Sequence, residues 1–77
     1  MAHIYFHYSN PEGIFVDQRG AMVGGLAEAS ERATDFVRSL ITAPNTEDWR
    51  GWILHVNDDL GEEILSLPFA SMLGKPH

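Results

Sequence analysis

Leu26-Ala-Glu-Ala-Ser-Glu-Arg-Ala-Thr-Asp-Phe-Val-Arg-Ser-Leu-Ile41 is the stretch on which the fold turns. Leu26, Ala29, Ala33, Phe36, Val37 and Leu40 recur at three- and four-residue steps and so share one stripe of a 3.6-residue spiral. Glu28, Glu31, Arg32, Asp35 and Arg38 take the remaining surface. Glu28 stands in the first turn, where a carboxylate suits the positive end of the helix dipole, and is oriented for an i,i+4 pair with Arg32. Pro44 restricts Ala43 and cannot extend the spiral, so the helix stops near Thr42. No Ser, Thr, Asp or Asn is placed to cap its start, and Gly25 takes that position at small cost. A stripe this apolar has to lie on something. Only the aromatic-rich segments on either side can serve.

In those segments the period changes to two. Ile4, Phe6 and Tyr8 point one way and His3, Tyr5 and His7 the other, which predicts a strand. Ser9-Asn10-Pro11-Glu12-Gly13 is turn chemistry, and Ile14-Phe15-Val16 returns as a second strand. All three of its residues are apolar, so the period is silent on phase. Ile14 and Val16 are expected under the helix and Phe15 on the far side. Asp17-Gln18-Arg19-Gly20 makes a second turn, and Ala21-Met22-Val23 adds a short extended piece before Gly24-Gly25. Beyond the helix and a polar loop over residues 45–48, Trp52, Leu54 and Val56 alternate with Ile53, His55 and Asn57. Asp58-Asp59-Leu60-Gly61 turns the chain, and Leu65, Leu67 and Phe69 then alternate with Ile64, Ser66 and Pro68. Pro68 has no N–H to donate and belongs at a strand end or a sheet edge. Two hairpins around one helix predict an α+β fold, ββαββ, in which a four-stranded antiparallel sheet carries the helix on one face. It forms a single domain over residues 1–69, with 70–77 a flexible C-terminal tail.

This arrangement resembles a family of short bacterial proteins catalogued only as a domain of unknown function. The resemblance rests on Tyr5-Phe6-His7-Tyr8, Asp17-x-x-Gly20, the alanine-bearing helix around Ala29, Asp58-x-x-Gly61 and Leu65-x-Leu67-Pro68-Phe69. These pieces span most of the chain from Ile4 to Phe69. Gly24-Gly25 departs from the family, which more often places a Pro or an Asp-containing cap there. The resemblance implies the ββαββ fold and brings no activity, cofactor or site residue with it.

Composition narrows the functions. Seventy-seven residues make one small domain. Eleven acids against five scattered bases give a net charge of -6, which argues against nucleic acid and against anionic membrane surfaces. There is no cysteine, so thiol nucleophiles and cysteine-bound zinc are excluded, and a reducing compartment is consistent. The N-terminus lacks the basic start and long apolar run of a signal peptide, and no stretch approaches the roughly 20 apolar residues needed to span a bilayer. A soluble cytoplasmic protein is expected.

Chemistry-bearing residues are few. His3 and His7 lie roughly 13 Å apart along a strand at about 3.3 Å per residue and cannot share one metal ion. His55 could meet His7 or His3 from a neighbouring strand, which makes His7 with His55 the metal- or ligand-binding alternative. Asp58, Asp59, Glu62 and Glu63 crowd one turn without the spacing of a calcium loop. Trp49-Arg50-Gly51-Trp52 offers two rings and a single cation, a poor nucleic-acid platform in an acidic chain. No phosphate loop, nucleophile elbow or HExxH motif is present, so neither an enzyme nor a cofactor is expected. What remains is the sheet face that one helix cannot cover. Tyr5, Phe15, Ile53, His55 and Ile64 are expected there as a contact surface, for a second copy of the chain or for another protein.

Overall fold

The alternation of the N-terminal residues becomes the strand against which everything else is laid in the computed structural model, which describes residues 2–44 and 47–73. In chain order the elements are β1 (Ala2–Asn10), β2 (Gly13–Phe15), β3 (Ala21–Val23), α1 (Leu26–Thr42), β4 (Ile53–Asp58) and β5 (Glu63–Pro68). Short 3₁₀ turns occupy Trp49–Gly51 and Phe69–Met72. All pairings are antiparallel. β4 lies on one edge of β1 with β5 outside it, and β2 and β3 both lie on the other edge. The sheet therefore has five strands where the sequence suggests four, because the segment expected as a short extended piece, Ala21–Val23, pairs with the start of β1.

β2 and β3 are separated by a built interruption. Phe15 pairs with Tyr8 and Ala21 with Ile4, so Val16 to Gly20 face only Tyr5, Phe6 and His7. That is two residues too many for a ladder. Asp17 fills the gap: its carboxylate accepts the Phe6 N–H at 3.1 Å and the N–H groups of Arg19 and Gly20 at 3.0 and 3.2 Å. Gly20 closes the loop with φ 72°. A Cβ there would meet the Ile4 carbonyl oxygen and the His3 ring at 2.5 Å, so only glycine fits. Asp58 repeats the device before β5, accepting the Leu60 and Glu62 N–H groups at 2.9 Å each, with Gly61 at φ 83°.

α1 lies across one sheet face as its stripe predicts. Ala29, Ala33 and Val37 are fully buried against Ile4, Leu54 and Val56, and small residues at four-residue steps let the helix axis approach the sheet closely. Leu26 departs from the expected stripe and is 62 % exposed at the helix start. Gly25 occupies the cap with extended backbone and no side-chain hydrogen bond, while Glu28 reaches back to the Gly24 N–H at 2.8 Å. One end of the core is aromatic. Tyr8 packs on Phe15, Phe36, Trp52 and Phe69 with ring centroids 5.0 to 6.2 Å apart. Phe69 is fully buried, and Met72 of the final 3₁₀ turn also packs on the core, within the stretch expected as tail. Residues 74–77 of that tail lie outside the described residues.

Two phases differ from the sequence expectation. Directly opposed residues in an antiparallel pair share a face, so Phe15, opposite Tyr8, belongs to the helix side, and Ile14, opposite Ser9, to the open side. Ile64 also changes sides. A bulge shifts the register of β5 between Val56↔Leu65 and Asn57↔Glu63, leaving Ile64 as the extra residue. It lines a groove on the helix side with Ala2, Val23, Leu26 and Ala29.

Candidate functional site on the sheet

β1, β4 and β5 together build the uncovered face. Its central column is His3, Tyr5 and His7, whose rings stack at 4.8 Å and 6.2 Å with interplanar angles of 18° and 9°. The column continues to Ser9. Across from it on β4 stand Asn57 opposite Tyr5, His55 opposite His7 and Ile53 opposite Ser9. On β5, Ser66 lies opposite His55 and Glu63 opposite Asn57. The period-two pattern puts these groups on one side except for Glu63, which the bulge at Ile64 brings there.

Hydrogen bonds tie the face together and assign ring protons. The His3 Nε2–H donates to the Arg19 carbonyl at 2.9 Å, so that nitrogen carries hydrogen. His7 Nδ1 accepts the Asp17 N–H at 2.9 Å, which requires a lone pair on that nitrogen. His55 joins three strands. Its Nδ1–H donates to Glu63 Oε1 at 2.8 Å, and its Nε2 accepts the Ser9 hydroxyl at 2.9 Å. The carboxylate fixes which nitrogen is protonated and leaves the other as an acceptor facing Ser9. At the rim, partial burial pushes the Asp17 carboxyl up, but the N–H groups of Arg19, Phe6 and Gly20, with His7 nearby, outweigh it and hold the carboxyl below its ordinary range.

Of the residues expected on this face, Tyr5, Ile53 and His55 are there. Phe15 and Ile64 are not, and Ile53 at 39 % exposed is left among histidines and polar groups rather than inside an apolar patch. His7 and His55 are direct cross-strand neighbours, as the metal-binding alternative needs. Both ring nitrogens of His55, however, already hold hydrogen bonds. Among the described residues no group of three or more His, Asp or Glu side chains is placed to hold a metal ion. Sequence reasoning missed Ser9, assigned to the turn, and Glu63, assigned to the acidic cluster. Ser9 was within reach, since it continues the odd-numbered side of β1 after His3, Tyr5 and His7.

A second surface lies at the far edge of the sheet. β5 is the terminal strand there, and nothing among the described residues pairs with its outer side. On the helix side, Ile64 (38 % exposed) forms one wall of an open groove of about 400 Å³ whose other walls are Ala2 and Ile4 of β1, Val23 of β3 and Leu26 and Ala29 of α1. Among the described residues, no helix is long and apolar enough to cross a membrane.

Comparison with known proteins adds a family and no activity. No curated protein and no solved structure matches the chain. Residues 3–70 match the family model described as a domain of unknown function, DUF6894. The match takes in the helix, all of the strands but Ala2 of β1, and the whole of the histidine face. The chain belongs to the DUF6894 family.

Proposed function

We propose that this domain is a cytoplasmic contact module that associates with a second copy of itself by pairing the outer edges of β5. The observation that carries this reading is the contrast between the two sheet edges. On one side the edge is broken into three-residue strands by the Asp17 loop, a common protection against further pairing. On the other, β5 runs unbroken in chain from Glu63 to Pro68, and no described strand pairs with its outer side, although the bulge at Ile64 and the missing N–H of Pro68 shorten the ladder it offers to Leu65–Leu67. Ile64, exposed on the helix side of β5, supplies apolar area that strand pairing alone lacks. A two-fold axis brings identical edges together antiparallel, so the strand is its own complement. The absence of cysteine suits a reducing compartment.

Sedimentation equilibrium tests the reading. The wild type should dimerise with increasing concentration, Ile64→Glu should stay monomeric, and Ile53→Glu should dimerise as the wild type does. A wild type that remains monomeric at millimolar concentration overturns self-association. Dimers abolished by Ile53→Glu and spared by Ile64→Glu would move the contact to the histidine face.

A further inference from the structure

We infer that Ser9 is a nucleophile, activated by His55 and Glu63, that accepts acyl groups from small activated esters. The inference goes beyond the contact role and uses a different face. Three residues from three strands are connected in the order hydroxyl, imidazole, carboxylate: Ser9 Oγ to His55 Nε2 at 2.9 Å, and His55 Nδ1 to Glu63 Oε1 at 2.8 Å. That order is the requirement for general-base activation of a serine, recognised by geometry and roles rather than by sequence position. Glu63 holds the imidazole with Nδ1 protonated and Nε2 free to take the serine proton, and it stabilises the imidazolium that results. Ser9 and His55 are part-exposed on the open face, so an ester can reach them from solvent.

The step balances within the chain. As Ser9 Oγ bonds to the carbonyl carbon, its proton passes to His55 Nε2. The carbon–oxygen bond to the leaving alcohol then breaks, and His55 returns the proton to that oxygen. Water attacks the acyl-serine with His55 again as base, releasing the acid and restoring Ser9. The surroundings limit the rate. β1 is paired on both edges at Ser9, so the N–H groups of the strand are committed to ladders and form no oxyanion pocket among the described residues. The acceleration is then that of a positioned base, about 10²–10⁴-fold. Activated esters and fluorophosphonates fall within reach, and amides do not.

Labelling with diisopropyl fluorophosphate, with the modified residue located by peptide mass spectrometry, tests the inference. Fluoride leaves in place of the alcohol, and Ser30, Ser39, Ser66 and Ser71 serve as controls in the same molecule. Ser9 should be phosphorylated about 10²-fold faster than any of them. His55→Gln should remove that advantage and Glu63→Gln should reduce it, with circular dichroism confirming that both variants are folded. Hydrolysis of p-nitrophenyl acetate should fall in parallel in these variants and in Ser9→Ala. Even labelling over all serines, or Ser9 labelling that survives in folded His55→Gln, would overturn the inference and leave the three residues as a hydrogen-bonded strap across the strands.

Discussion

Asp17 holds the broken edge of the sheet together. Its carboxylate accepts three backbone N–H groups, its own N–H donates to His7, and it thereby replaces the ladder that Val16 to Gly20 cannot form. Asp17→Ala would leave the Phe6 N–H without its acceptor inside β1. Hydrogen bonds to charged groups contribute about 1.5–3 kcal/mol, so a loss near 2 kcal/mol is expected in urea denaturation at neutral pH. The sign of the pH dependence follows from the lowered carboxyl pKa. A group depressed in the folded state stabilises at pH above its ordinary value of 3.8, and that stability is lost as pH falls through the folded value. The margin of the wild type over Asp17→Ala should therefore narrow as pH falls below about 4. A margin unchanged between pH 7 and pH 3 would contradict this role. Gly20 belongs to the same loop and was legible in part. Asp-x-x-Gly marks a turn, but the close approach of Ile4 and His3 that excludes any side chain is a tertiary fact.

At the scale of elements, α1 was legible because its apolar residues repeat at helical steps and Pro44 ends it. Its weakest point is the start. Gly25 gives no side-chain acceptor to the first turn, has extended backbone that any residue adopts, and has open space where a Cβ would go. Gly25→Ser should therefore stabilise by a few tenths of a kcal/mol, which for a domain of this size raises the melting temperature by about 1–3 °C. Calorimetry can read that shift, and a fall in melting temperature would contradict the capping account. The strands were legible in existence but not always in phase. Ile14-Phe15-Val16 has no polar residue to mark a face, and only the pairing of Phe15 with Tyr8 decides it. Ile64 fits a perfect alternation on paper. The bulge that turns it toward the helix depends on how β5 meets β4, which no pattern within β5 encodes.

At the scale of the molecule, one helix covers one sheet face, and the residues left over divide into two surfaces of different character. The histidine face is polar and internally hydrogen-bonded. Its relay joins residues far apart in the chain: Ser9 and His55 are separated by 46 positions and His55 and Glu63 by 8, so no local spacing could announce it. The histidines and Tyr5 were visible as a row on β1, and their partners became visible only through strand register. The exposed apolar residues went the other way. The sequence pattern assigned Ile64 and Phe15 to the open face, whereas the bulge in β5 and the pairing of Phe15 with Tyr8 put both on the helix side. The proposed pairing of two copies through the outer edge of β5 is tested most directly by amide hydrogen exchange at two protein concentrations. The outward-facing amides within Glu63–Pro68 should exchange quickly in dilute solution and gain protection as concentration rises, while those of β2 and β3 stay unchanged. Exchange at β5 that is equally fast at both concentrations would contradict pairing at this edge.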